Sequence, residues 1–355
     1  MEPFVYEALP VRVIFGSGTV AQLAAEAEHL GVCRVLVLST PGRGEVKAHE
    51  IAALLGERSA GVHAGAVMHT PVAVTERVVQ IVRERAVDAV VSFGGGSTTG
   101  LGKAIALRTD LPQIVLPTTY AGSEMTPILG ETKDGAKTTQ RNLKVLPEVV
   151  IYDVDLTLGL PAAISGTSGM NAVAHAVEAL YAVDRNPVIS LLAEEGIGAL
   201  ARALPRISEA PHDHAARSDA LYGAWLCGTC LGAVSMALHH KLCHVLGGAF
   251  DLPHAETHTV ILPHATAYNA SAAPEAMARV ARALDSPDPP QALYELAGRL
   301  GAKPSLRELG MPQDGIERAV EQTMANPYPN PRPLDVFAIR ELIIRAWEGE
   351  PPHSG

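Results

Sequence analysis

The stretch Val90–Leu107, VVSFGGGSTTGLGKAIAL, decides how this chain is read. An apolar run ending at Phe93 has the composition of a buried β-strand, three glycines follow, and a helical pattern takes over. Glycine lets a backbone approach a ligand closely, and a helix N-terminus offers unpaired N–H groups, so the expected guest is a phosphate. Two familiar phosphate loops fail on spacing. A Walker loop needs Gly at position 97 and Ser or Thr at 104, where Ser97 and Ala104 stand. A Rossmann fingerprint starting at Gly94 and Gly96 needs a third Gly at the position of Thr99. What remains is a different dinucleotide loop or an ordinary glycine-rich turn.

The surroundings of the stretch favour the dinucleotide loop. Candidate strands recur through the first half: Arg12–Phe15, Arg34–Thr40, Gly65–His69, Asp88–Phe93, Gln113–Thr118 and Val149–Asp153. Amphipathic helical periods such as VAQLAAEAEHL and VTERVVQIVRERA separate them, as an α/β sheet requires. Beyond about residue 157 the strand signals stop and Ala/Leu-rich helical patterns follow. The expected organisation is an α/β NAD(P)-binding domain over 1–157 and an all-helical substrate domain over 158–355, with the active site in the cleft between them. PTTYAGSEMTP (Pro117–Pro127) follows the next strand and brings Thr118, Thr119 and Ser123 to the same sheet edge as Gly94, Gly95, Gly96 and Ser97. STPGRG (Ser39–Gly44) would approach the adenosine ribose. It has no acid for a 2′-hydroxyl, while Arg43 suits a 2′-phosphate, so both NADH and NADPH are expected to serve.

A net charge of −10 argues against broad nucleic-acid binding. The opening residues do not read as a leader, so a cytoplasmic enzyme is expected. Leu221–Leu238 carries no charge over 18 residues, the lower limit for a membrane span, but its Gly, Ser and Thr content suits a buried helix better. Its Cys227 and Cys230 form a CxxC without a second CxxC or a surrounding βαβ unit. They are expected to be small buried residues, and Cys33 and Cys243 free thiols. NPYPNPRP (Asn326–Pro333) cannot be a regular helix, and FAIRELIIRAWEG should pack back on the helical domain.

Histidine is the second signal. His240 and His244 are spaced i,i+4 on one helical face, His254 follows ten residues later, and His239 and His258 lie nearby. His175 sits four residues after Asn171, where an Asp would complete a site of one carboxylate and three imidazoles. Crowded imidazoles without a metal should depress one another's proton affinity.

These motifs together resemble the iron-containing alcohol dehydrogenase family over essentially the whole chain. Within it, FGSGT, GGGSTTGLGKAIAL, PTTYAGSEMTPILGET, KTT and NPYPNPRP look like the branch that reduces maleylacetate. The resemblance implies a Rossmann-like domain followed by an all-helical one, the dehydroquinate synthase-like fold, in a homodimer. It places the family's metal positions at Asn171, His175, His240 and His254, and His244 beside the nicotinamide. The family usually carries Asp at 171 and near Gly100; with both absent here, action without a metal is expected. The implied reaction is NAD(P)H-dependent reduction of the conjugated C=C bond of maleylacetate, a small dicarboxylate, to 3-oxoadipate in aromatic-compound catabolism. His244, His254, His175 and His240 are then the catalytic candidates, and Arg141, Lys144 and Lys241 the candidate cations for the substrate carboxylates. Three alternatives stay open: a metal-dependent alcohol or aldehyde dehydrogenase, a dehydroquinate-synthase-like lyase, and a non-catalytic dinucleotide binder.

Overall fold

A computed structural model describes residues 3–133 and 136–353. Contacts divide the chain into a unit of Leu9–Leu160 and a second of Pro161–Gly355, which the N-terminal residues up to Ala8 join. The sheet domain expected over 1–157 would include those first residues.

The first unit holds β1 (Arg12–Phe15), α1 (Leu23–His29), β2 (Val35–Leu38), α2 (Arg43–Leu54), β3 (Ser59–His63), α3 (Val72–Glu84), β4 (Ala89–Gly94), α4 (Gly96–Thr109), β5 (Gln113–Pro117), β6 (Ile128–Lys133), β7 (Ala136–Arg141) and β8 (Val149–Tyr152). Six strands pair in parallel in the order β1-β8-β5-β4-β2-β3. Alternation within single strands explains why both faces are covered. Val35 and Val37 join one core with α1 and α2, while Leu36 and Leu38 join another with α3 and α4. The chain leaves β2 for β3 on one side and returns across it to β4, so the connections reverse direction between β2 and β4. Their carboxyl ends, Ser39 and the triple glycine, flank that switch point, where open α/β sheets bind ligands.

Two expectations are corrected. Gly65–His69 is not a strand; the third strand is the preceding Ser59–His63. That strand lies at the sheet edge with every residue half-buried, so it needs no apolar run. The apolar GAVMH leaves Met68 exposed, and left-handed backbone at His69 (φ 64°) and Thr70 (φ 45°) ends any extended run. The second difference is the antiparallel hairpin β6–β7, which the alternation did not announce.

The second unit is helical: α5 (Ala162–Tyr181), α6 (Pro187–Glu209), α7 (His214–Ala233), α8 (Leu238–Phe250), α9 (His254–Ala270), α10 (Pro274–Leu284), α11 (Pro289–Arg299), α12 (Gly315–Ala325) and α13 (Val336–Glu348). Helix α5 is buried continuously from Ser165 to Tyr181 and packs on α6, α7 and α9, which makes it the centre of this unit. Helices α8, α9, α12 and α13 share a second core, so the C-terminal helix does pack back as expected. The uncharged run Leu221–Leu238 is a buried segment but not one helix. It breaks at Val234–Ala237, with a 93° bend between α7 and α8. Carboxylates hold that break: Asp184 accepts from the N–H and hydroxyl of Ser235, and Glu178 from the N–H of Ala237. Among the described residues no single helix is long and apolar enough to cross a membrane. Cys227 and Cys230 are buried free thiols, as expected, and burial pushes the Cys230 thiol up to about 12.

Candidate active site

In the sheet unit, each of the three glycines has a separate role. Gly94 ends β4 at φ +145°, a conformation open to glycine, and a Cβ there would stand 2.8 Å from the Thr98 hydroxyl. At Gly95 a Cβ would meet Thr119 at 2.9 Å, so the two loops touch because the side chain is missing. Gly96, the first residue of α4, is exposed and faces nothing within 4 Å. That open space lies at the N–H-bearing end of a helix beside the switch point, which fits a dinucleotide pyrophosphate. The Thr118 N–H donates to the Gly94 carbonyl, and Thr118, Thr119 and Ser123 stay partly accessible. Ser39 is fully buried, with its hydroxyl on the Thr40 carbonyl, so Thr40 presents the exposed hydroxyl at that strand end. Arg43 is exposed at the first position of α2.

Lys103 was missed from sequence. It is fully buried on α4, and its ammonium donates to the carbonyls of Ser123, Thr126 and Ile128 and the Thr126 hydroxyl at 2.5–2.9 Å. It ties the PTTYAGSEMTP loop to the glycine helix. Burial lowers its pKa to about 7, while these four oxygens call for the three protons of the charged form. Glu124 nearby is pushed up by burial and accepts from the Tyr152 hydroxyl at 2.8 Å.

In the helical unit, α5, α8 and α9 gather the predicted imidazoles. Ring centroids lie 5.0 Å apart for His175–His240, 6.3 Å for His240–His244, 5.1 Å for His240–His258 and 4.3 Å for His254–His258. Accessibility sorts them. His175, His239, His240 and His258 are buried, His244 is half-buried and His254 exposed. His239 Nε2 meets His258 Nδ1 at 2.9 Å, and burial, followed by the neighbouring imidazoles, drives both well below the usual histidine range, so they are neutral. His244 Nδ1 meets the hydroxyl of Tyr328 at 3.0 Å, whose proton burial retains.

The proline-rich segment therefore belongs to the site. Tyr328 holds His244, and Asn330 accepts from the Leu238 N–H at the start of α8 while bonding Asn269 on α9. Sequence reasoning missed this, and it also missed Glu178, which accepts from His240 Nδ1 at 2.7 Å. The available signal was its i,i+3 spacing from His175. Of the three candidate cations, only Lys241 lies in this unit, its ammonium 5.7 Å from the centre of the Tyr328 ring. Arg141 is exposed at the end of β7, and Lys144 pairs with Asp110 at an exposed position of the sheet unit.

The four positions at which the family would hold a metal carry no carboxylate here. His175 Nδ1 and His240 Nε2 bond each other at 2.8 Å, whereas two nitrogens on one tetrahedral ion stand about 3.3 Å apart. Asn171 offers a neutral amide oxygen, buried and without a hydrogen-bond partner among the described residues, in place of an anionic ligand. His239, Cys243 and His258 also bring donor atoms within 4.8 Å, but the two imidazoles are already bonded to each other.

Family models match both units: "Iron-containing alcohol dehydrogenase" over residues 10–154 and "Fe-containing alcohol dehydrogenase family, C-terminal" over 165–347. The chain belongs to the iron-containing alcohol dehydrogenase family. Among its curated relatives is a maleylacetate reductase of Sphingobium indicum, 59% identical over 98% of this chain and 99% of that protein. Another, from a Rhizobium species, is 57% identical over 99% and 100%. The crystal structure of maleylacetate reductase from Agrobacterium tumefaciens superposes with a TM-score of 0.96 at 57% identity, over 99% of this chain and 100% of that one. The chain is thus an oxidoreductase of the iron-containing alcohol dehydrogenase family, similar along its whole length to maleylacetate reductases.

Proposed function

We propose that the chain reduces the conjugated C=C bond of maleylacetate to give 3-oxoadipate, using NADH or NADPH and no metal. The full-length likeness to maleylacetate reductases carries the reading, and the imidazole cluster makes chemical sense of it. The bound cofactor supplies a hydride, which goes to the alkene carbon β to the ketone. Negative charge then develops on the ketone oxygen, and the carbon between takes a proton. His244 and His254, the accessible imidazoles, would donate to that oxygen and deliver the proton, with Tyr328 orienting His244. The buried pairs His239–His258 and His175–His240 support them. Conjugate addition demands less polarisation than reduction of an isolated carbonyl, so imidazole donors suffice where the acidic ligand is absent.

In the sheet unit the first-turn N–H groups of α4 would hold the pyrophosphate, and Arg43 would admit a 2′-phosphate. Lys241 is the preferred cation for a substrate carboxylate, and a homodimer, which the resemblance implies, completes the proposal. The test is oxidation of NADH and of NADPH with freshly generated maleylacetate, using chelator-dialysed protein beside untreated protein. Equal rapid turnover in both supports the reading. Turnover in untreated protein alone refutes the metal-free part, and none in either refutes the substrate.

A further inference from the structure

Lys103 stands seven residues beyond Gly96 on α4, about two turns along the same face of the helix. Its side chain is fully buried. The ammonium donates to the carbonyls of Ser123 at 2.5 Å, Thr126 at 2.7 Å and Ile128 at 2.9 Å, and to the Thr126 hydroxyl at 2.9 Å. An ammonium has only donors and a carbonyl only acceptors, so the direction of the three carbonyl bonds is fixed by the groups themselves. The Ser123 carbonyl is the closest partner, and it also accepts the hydroxyl of Thr126 at 3.0 Å and its N–H at 3.2 Å. Three carbonyl dipoles converging from one loop repel one another unless a cation stands between them. The start of the same loop rests on the glycine turn. The Thr118 N–H donates to the Gly94 carbonyl at 3.0 Å, and Thr119 fills the space where Gly95 lacks a Cβ. Both ends of residues 118–123 are thus fastened to the element that begins with the triple glycine, and at the far end the fastened atom belongs to Ser123 itself.

We propose that Lys103 is a positioning residue of the dinucleotide site: it grips Ser123 by the carbonyl and so aims the Ser123 hydroxyl at the pyrophosphate. Ser123 is partly accessible, so its hydroxyl reaches a guest while its carbonyl stays on the ammonium. Without that ammonium the converging carbonyls lose their partner, and the loop turns them toward water. The Ser123 peptide rotates with them and withdraws the hydroxyl. This inference rests on the proposed dinucleotide reading of the glycine loop, and it gives Lys103 a part in cofactor affinity besides its part in stability.

The test uses the whole chain and a double-mutant cycle on NADH affinity, read by fluorescence titration well below the melting temperature. Ser123→Ala should raise the NADH Kd about 10- to 100-fold, the worth of one hydrogen bond to a charged group. Lys103→Met should raise it by a similar factor. The double variant should be no more than about three-fold weaker than Lys103→Met alone, because the hydroxyl is already displaced. If Lys103→Met does not fold, Lys103→Gln, which keeps two donors without the charge, takes its place in the cycle. A purely structural role is separated by Leu23→Ala, which opens the core on the other face of the sheet. It should lower the Tm and keep the NADH Kd within about two-fold. The proposal is overturned by an unchanged Kd in Ser123→Ala or in the folded Lys103 variant, by losses that multiply in full in the double variant, or by an equal loss in Leu23→Ala. A wild type that binds neither NADH nor NADPH refutes the dinucleotide reading and the proposal together, whereas wild-type binding that Lys103→Met leaves unchanged refutes the proposal alone.

Discussion

Replacing Gly96 by alanine separates cofactor binding from folding. A Cβ at this position meets no protein atom within 4 Å, and Gly96 is not among the glycines held at positive φ. Alanine is also the better helix former, by about 1 kcal/mol in a helix interior and less at this first position. Gly96→Ala should therefore match or slightly exceed the wild-type Tm. The same methyl group would stand where the first turn of α4 is proposed to meet the pyrophosphate. Pushing the phosphates away by the thickness of a methyl weakens two charge-assisted N–H bonds, together about 2–4 kcal/mol. That corresponds to an NADH Kd raised about 30- to 1,000-fold. Fluorescence titration of NADH, run beside a thermal melt, measures both quantities on one sample. Gly94→Ala is the contrasting control: it combines a φ of +145° with a 2.8 Å clash, and should lose both stability and binding. An unaltered NADH Kd in Gly96→Ala would show that the glycines do not hold the cofactor, and a large drop in its Tm would contradict the open space.

Lys103→Met should lower the Tm by about 5–10 °C, because four oxygens lose their shared ammonium while relief of a buried charge offsets part of the loss; a Tm at or above the wild-type value would refute the strut. Asn171→Asp should tighten Zn2+ or Fe2+ binding by about two orders of magnitude or more, read as bound metal after dialysis, and an unchanged metal content would mean that the His175–His240 bond by itself excludes an ion. His264 is buried, and burial, helped by Arg345, lowers its pKa from 6.5 to about 4. The unfolded chain then binds a proton that the folded chain refuses, so acidification from pH 6.5 to 4 should remove about 3 kcal/mol of stability through this residue. His264→Leu should flatten denaturation curves in that window, and identical pH slopes would count against the assignment.

The central strands and the loop glycines were legible in the sequence because local rules govern them. Val35–Leu38 is apolar throughout and Ala89–Gly94 is apolar except for Ser92, since helices cover both faces, and the triple glycine announces a close approach whatever the surroundings. The histidines of α5, α8 and α9 were legible as a group through helical spacing. Edge strands were not: β3 needs little apolar surface, so GAVMH outcompeted it by composition.

The tertiary structure decided which imidazoles are reachable, and placed Tyr328 on His244 and Glu178 under His240. Tyr328 lies 84 residues from its partner and Glu178 lies 62 from its own, distances that no period of 2 or 3.6 spans. The break between α7 and α8 was hidden for the same reason, since the carboxylates that satisfy its N–H groups come from Glu178 and Asp184. Sequence by itself determined the elements and the chemistry they can carry, because propensity and periodicity are local. Only the packed chain determined which polar groups meet, because a hydrogen bond depends on the atom that folding brings opposite.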